Sequence, residues 1–578
     1  MKINEMLGLG PGSADYLLRL VRFSLRQHPV ILVNLGLALL SVLIELAAMA
    51  SLMPLSLIAA GEQIRSDSSW TRFFSLVGVT PTFSSALVFF VAAFSFRLIT
   101  QFMNQATSVF IGKRVQADLS SRAFERIVKD LSLRDIDAKS AGPFISLAGD
   151  ETARAGSVVI AVNQLVATGL LAVVYLAAIA YFSYWLAIGV VVFLILVFVS
   201  LRGTLRKSQT LSVRQLEEAK MAHSVFLDAL NGLRSVRALS AEAFVTSKYG
   251  WIIRNYTRTN FFIDTLAFGA KLIPALILLV SIGAATVAGF LSPGSAPALA
   301  LLVTSLAFLL RFFPAAGQVL SLFMRLSNDL RAASDVTHLL DAPPAIRHAP
   351  NYRRLGDKVE SIELRDVSFS YLPGRPVIRN FSATLLRGNS YAFVGASGSG
   401  KSTLFDLLLG FYLPDSGKLL VNGIPTDEID SHNLRSHVVL VGQQVTILND
   451  TIANNIKFGA DASEAEVRVA GAAVCIDSYV EELPKGYETI LSYQGSNLSG
   501  GQRQRIGLAR ALIRNRNVLL LDESTSALDA ETRNKVVENI LHLYREKIVV
   551  FSTHDESVAN QMDIVIEVKQ FNADRHEV

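Results

Sequence analysis

The chain has 578 residues, 51% of them hydrophobic and 18% charged, with a formal net charge of +5. Soluble domains carry about 25% charged residues, so the composition is shifted toward a membrane protein. The single cysteine, Cys475, excludes a disulfide framework and a cysteine metal cluster. The basic excess could suggest nucleic acid, but its position along the chain gives a different account.

Residues 1–29 contain "YLLRLVRFSLRQHP", an amphipathic basic run suited to a helix at a membrane surface. The first 28 residues lack the apolar core and cleavage site of a signal peptide. Six apolar runs follow, at roughly 30–60, 83–107, 156–180, 183–202, 261–290 and 297–323. Each is near the ~20 residues a bilayer requires, and together they predict an all-α transmembrane domain over 30–328. Lysine and arginine set its orientation. The loop near 61–82 carries only Arg65 and Arg72, and the other two loops on that side carry none. The connection after the second run carries Lys113, Arg114, Arg122, Arg126, Lys129, Arg134, Lys139 and Arg154, and the one after the fourth is similar. Both termini and both long connections are therefore expected on the cytoplasmic side, which accounts for the basic excess without nucleic acid. The two connections, in "GKRVQADLSSRAFERIVKDL" and "RKSQTLSVRQLEEAKMAHSVFLDALNGL", keep a helical period. The plainest reading makes them two helical hairpins; at ~1.5 Å per residue each could also reach tens of Å into the cytoplasm.

A Pro-rich linker is expected over 329–358, and from 359 short β-branched strands alternate with helices, as in an α/β domain to residue 578. "YAFVGASGSGKSTLFDLLLGF" reads as strand, Gly-rich loop and helix. Gly395, Gly400, Lys401 and Ser402 fit the spacing of a phosphate-binding loop, with backbone N–H groups around phosphate oxygens, Lys401 as point charge and Ser402 on Mg2+. "NVLLLDEST" reads as a buried strand ending in Asp522 and Glu523. One carboxylate can reach Mg2+ and the other can polarise an attacking water.

That pair of motifs alone leaves GTPases, kinases and helicases open. "VSFSY" before the loop, then "VVLVGQQ", "LSGGQRQR", "STSALD" and "VVFSTHD", resemble in order and spacing the nucleotide-binding domain of ATP-binding cassette (ABC) transporters, over about 359–569. The resemblance implies a P-loop cassette with a RecA-like core. It implies ATP contacts from Tyr371 (stacking on adenine), from Gly395, Ala396, Ser397, Gly398, Ser399, Gly400, Lys401, Ser402 and Thr403, and from Gln443. Leu498, Ser499, Gly500, Gly501 and Gln502 would form the signature loop and Asp529 the D-loop. Glu523 and His554 would be catalytic, with Ser402, Gln443 and Asp522 on Mg2+. Two departures stand out. Tyr493 occupies a position where exporters of this class have an acidic residue, and Asp555 follows His554 in place of an arginine. Neither removes a phosphate, metal or water ligand.

Membrane runs followed by a cassette resemble the exporter-type half-transporter. Coupling helices are then expected near 133–140 and 231–241, and a second copy of the chain as partner, each signature loop covering the other copy's ATP. Charges inside the runs bear on cargo: Glu45, Arg97, Lys271 and Arg311 each sit in apolar sequence. One reading pairs Glu45 with Arg97 and lets Lys271 and Arg311 snorkel to an interface. The other gathers three basic residues per chain into a cavity for an anionic cargo. "LIELAAMASLMPLSLIAAG", "RSDSSWTRFFSLVGVTP" and "LRFFPAAGQV" resemble bacterial flippases of lipid-linked oligosaccharides, with a short external helix after the first span. The resemblance implies an inner-membrane protein in contact with lipid that moves an amphipathic, lipid-linked substrate by alternating access. Export of a peptide or drug-like molecule, and an ATP-gated channel or regulator, are the competing readings. The six runs exclude a soluble repair or translation cassette.

Overall fold

The computed structural model describes residues 13–51, 55, 57–58, 80, 82–137, 141–182, 184–287, 296–342, 352–372 and 374–569. The chain divides into two compact units: residues 1–131 with 136–343, and residues 132–135 with 344–578.

The first unit is helical. Helix α1 (Ser13–Gln27) is followed by α2 (Val30–Ala50), α3 (Phe83–Asp130), α4 (Thr152–Phe182), α5 (Tyr184–Asn231), α6 (Glu242–Val287) and α7 (Ala296–Asp341). Among the described residues, stretches within α2, α3, α7 and the segment Ala141–Tyr181 are long and apolar enough to cross a membrane. The span expected at 83–107 and the arm after it form one helix, as do the span expected at 183–202 and its arm: α3 and α5 each run for 48 residues. The helical period persists across the change from apolar to charged sequence, so nothing breaks the backbone where the solvent changes. Short helices Leu133–Asp137 and Leu233–Ala238 occupy the stretches expected to couple the domains. The expected external helix over 65–81 lies, Thr80 aside, outside the described residues.

Two expected boundaries move. The linker was to begin at 329, but α7 continues to Asp341 because Leu326, Leu330, Ala333 and Val336 repeat at helical spacing and are buried. Helix α1, expected at a membrane surface, packs on this unit: Leu20 is buried in the same cluster as Ile111, Val115 and Val158, and Arg19 pairs with Asp341 at 2.6 Å. Helices α3 and α4 cross at Gly112 and Gly156. A Cβ on either would lie under 3 Å from the other's carbonyl oxygen, so only glycines allow that approach.

The second unit contains two sheets. The antiparallel one has strand order β2-β1-β4-β5, from β1 (Ser361–Leu372), β2 (Arg375–Leu386), β4 (Ser416–Val421) and β5 (Ile424–Pro425). The parallel one has order β6-β7-β8-β3-β9, from β3 (Ser390–Val394), β6 (Val438–Val441), β7 (Val518–Asp522), β8 (Ile548–Ser552) and β9 (Ile564–Glu567). Its central strands are apolar on both faces, as buried parallel strands must be. Leu519, Leu521, Val549 and Phe551 enter one core cluster, and Val518, Leu520, Ile548 and Val550 the other. Leu355 and Val359 belong to the second cluster, so this core begins a few residues before the expected boundary at 359. Helix α8 (Lys401–Leu408) follows β3, α9 (Gly500–Arg514) precedes β7, and α10 (Ala530–Leu543) follows it. Within this unit Arg134 donates to the Tyr371 carbonyl at 2.8 Å.

Candidate functional site

Strands β6, β7, β8 and β3 lie side by side in parallel, so their carboxyl ends share one edge. That edge is where open α/β sheets bind ligands. The phosphate loop leaves β3, Asp522 and Glu523 end β7, His554 follows β8, and Gln443 follows β6.

The loop needs its glycines. A Cβ at Gly395 would sit 2.3 Å from the Val568 carbonyl oxygen, and Gly400 caps α8 at φ +99, a left-handed conformation that side chains rarely adopt. Buried Lys401 donates to the carbonyls of Gly395 (2.8 Å) and Ala396 (3.0 Å). Burial pushes its pKa down, opposed by the charges of Glu523 and Asp522. Ser399 places a buried hydroxyl in the loop with no partner among the described residues. Ser402 is exposed at the start of α8 and Thr403 is buried.

Glu523 has φ +46, outside the favoured regions for a side-chain-bearing residue. Its N–H donates to Ser552 at 3.0 Å, which fixes the turn that presents the carboxylate. His554 Nε2 stands 2.8 Å from Glu523 Oε1, and Gln443 Nε2 donates to Oε2 at 2.9 Å. Three residues predicted from three separate motifs thus meet at one carboxylate. A cavity of about 500 Å³ adjoins it, lined by Glu523, His554, Thr553, Ser526, Arg533 and Asp555 among others. Asp555 is paired with Arg533 at 2.9 Å, and its hydrogen bonds to Ser557 hold its carboxyl below the usual range.

Tyr371 lies beside the loop, its hydroxyl 3.1 Å from both Thr403 Oγ1 and Asp406 Oδ2, and its ring packs edge-on against Phe369 and Tyr412. Ser499 caps α9 in a reciprocal box: its Oγ accepts from Gln502 N–H (3.1 Å) while Gln502 Oε1 accepts from Ser499 N–H (2.7 Å). Arg503 donates to the Leu498 carbonyl at 2.7 Å and holds the loop against its helix. Asp529 caps α10 through Thr532 N–H, which lowers its pKa. Tyr493 is 61% exposed.

In the first unit, Glu45 is fully buried, pairs with Arg97 and accepts a hydrogen bond from Tyr175. Arg311 makes no ion pair among the described residues; its guanidinium lies 5.2 Å from the Phe94 ring centre. Arg97 and Arg311 both line a cavity of about 530 Å³. The Lys271 side chain lies outside the described residues. The charge of the cavity is accordingly smaller than three free cations, because Glu45 answers Arg97. Sequence reasoning missed its other polar walls: Gln101, Asn104, Gln105, Gln164 and Gln318. The available signal was polar residues recurring every three or four positions inside apolar runs.

Residues 378–526 match the family description "ABC transporter", and residues 36–315 match "ABC transporter transmembrane region". The chain is similar to the ATP-dependent lipid A-core flippase of Aromatoleum aromaticum (strain DSM 19018 / LMG 30748 / EbN1), 31% identical over 78% of this chain and 75% of that protein. The flippase of the same name from Syntrophus aciditrophicus (strain SB) is 29% identical over 80% of this chain and 77% of that protein. The mitochondrial iron-sulfur clusters transporter ATM1 of Yarrowia lipolytica (strain CLIB 122 / E 150) is 32% identical over 60% of this chain and 49% of that protein. Among solved structures, a bacterial Atm1-family ABC exporter with ATP bound has a TM-score of 0.79 at 23% identity, covering 94% of this chain and 96% of that one. That likeness establishes the fold.

Proposed function

Because the chain belongs to the ABC transporter family, with transmembrane and ATPase regions in one polypeptide, we propose that it is an ATP-driven exporter of an anionic amphiphile. A lipid-linked oligosaccharide or similar amphiphile is the favoured cargo, taken from the cytoplasmic side of the inner membrane; relatives named as lipid A-core flippases support a lipid cargo. The observation that carries this reading is the cavity in the first unit. Arg311 lines it without a carboxylate partner among the described residues, and amide side chains surround it. A guanidinium suits phosphate oxygens, and amides suit hydroxyls. The same amides favour the second reading, a peptide-like cargo.

The power stroke is ATP hydrolysis. Lys401 supplies positive charge at the phosphate loop, Glu523 polarises the attacking water, and His554 and Gln443 hold that carboxylate in position. The donors fit Mg2+: Ser402 offers an exposed hydroxyl, Asp522 one carboxylate and Gln443 an amide. Such a sparse set suits an ion completed by nucleotide phosphates and water. When bound, Mg2+ would neutralise charge on the phosphate oxygens.

The working unit in this reading is a homodimer. The capping box occupies the side chains of Ser499 and Gln502, which leaves the Gly500 and Gly501 N–H groups at the start of α9 for an outside anion. One chain has one phosphate loop and one such helix start, so each would serve the other copy's ATP. Reconstitution into liposomes tests the proposal. ATP-dependent movement of a pyrophosphate-linked lipid should be lost in Arg311→Ala while basal hydrolysis persists. Equal loss of both would contradict the cavity's role.

A further inference from the structure

Gln504 sits on α9, five residues beyond Ser499, and is 6% exposed. Its amide is fully used. Nε2 donates to the Glu523 carbonyl (3.3 Å) and to Ser526 Oγ (3.2 Å), and Oε1 accepts from Ala527 N–H (2.9 Å). Ser526 Oγ in turn donates to the Glu523 carbonyl at 2.8 Å. The backbone held in this way is the left-handed turn at Glu523, a strained conformation that persists only where its surroundings fix it. The same helix start also touches Ala527 directly: a Cβ on Gly501 would lie 2.9 Å from the Ala527 carbonyl oxygen.

We propose that Gln504 is a positioning residue that locks the start of α9 to the backbone presenting Glu523, so that the two move as one body. The inference rests on the dimer described above, where Glu523 serves the chain's own ATP and the start of α9 meets the partner's. Gln504 then transmits occupancy of one ATP site to the geometry of the other. Its reach is specific. A side chain of this length is needed to cross from the helix to the turn, and an amide is needed to supply two donors and one acceptor at once.

The test uses the full-length dimer in lipid nanodiscs, comparing wild type, Gln504→Leu and Gln504→Glu for hydrolysis against ATP concentration, nucleotide binding and thermal unfolding. Leucine matches the volume and removes all three hydrogen bonds. Its kcat should fall about tenfold or more, the loss expected when buried hydrogen bonds at a reacting group are removed. Nucleotide affinity should stay within about twofold, and the Hill coefficient should fall toward unity. Glutamate places a carboxylate oxygen where a donor is required, so its activity relative to wild type should rise as pH falls and protonation restores an O–H donor. A Gln504→Leu variant with wild-type kcat and Hill coefficient would overturn the proposal. So would a fall in kcat matched by equal falls in nucleotide affinity and unfolding temperature. Wild-type hydrolysis in the same assay stands for the ATPase reading itself, so equality of variant and wild type sinks only the role of Gln504.

Discussion

Truncating Arg97 to alanine leaves the Glu45 carboxylate buried without a counter-charge, because Glu45 is 0% exposed and Arg97 is its ion-pair partner. The Tyr175 hydroxyl remains as a donor but carries no charge. Removing one member of a buried pair costs about 3–5 kcal/mol, against a total stability of about 5–15 kcal/mol for a domain. Arg97→Ala should therefore unfold at clearly lower temperature in detergent. Replacing both members by glutamine should recover much of the loss, since no charge is then left unpaired. Arg311→Ala should behave in the opposite way, because its guanidinium faces Phe94 and the cavity and has no carboxylate partner among the described residues. Unfolding should change little while cargo movement fails. Thermal unfolding followed by size-exclusion chromatography, with transport measured on the same preparations, separates the two. If Arg97→Ala proved as stable as wild type and Arg311→Ala did not, the division into a structural and a cargo-facing arginine would be refuted.

Three further outcomes follow from the cassette. Gly395→Ala should abolish nucleotide binding, measured with a fluorescent ATP analogue, because the new Cβ would meet the Val568 carbonyl oxygen at 2.3 Å. Asp563 accepts from the Ser390 N–H and hydroxyl at 2.8 and 2.7 Å, bonds that hold its pKa below the ordinary value. Its contribution is present above the unfolded pKa of about 3.9 and is lost as pH falls through the lowered folded value. Asp563→Asn should accordingly lower stability at neutral pH and make acid unfolding, followed by circular dichroism, shallower. Tyr493 is 61% exposed and stands where the exporter resemblance expects an acidic residue that touches the cytoplasmic helices, so in Tyr493→Glu ATP binding should not change while stimulation of hydrolysis by cargo does. Unchanged stimulation would remove Tyr493 from the coupling path.

The phosphate loop and the Asp522–Glu523 strand end were legible because each motif is contiguous and its chemistry depends on neighbours in sequence. The meeting of Glu523, His554 and Gln443 was reachable only through the order of family motifs, since the three are brought together by adjacent parallel strands. The helices were legible from periodicity, but their continuity was not, because a change of polarity looks like an element boundary even where the backbone continues, as between Thr107 and Lys113. The Glu45–Arg97 pair belonged to one of two readings; helix packing brings those two side chains together and also sets Arg97 and Arg311 on the wall of one cavity. Gln504 and the cavity amides escaped notice for one shared reason. A buried carboxamide carries no charge, and its role depends on partners that the sequence does not place beside it.

ATP-driven export is tested most directly by movement of a pyrophosphate-linked lipid across proteoliposomes, measured for wild type and Glu523→Gln in parallel. Wild type should move the lipid, and only when ATP is present. In Glu523→Gln, hydrolysis and movement should both fall by about 100-fold or more, as for loss of a group that activates the nucleophile, while ATP still binds. Cargo movement at the wild-type rate in a variant that no longer hydrolyses ATP would contradict ATP-driven export.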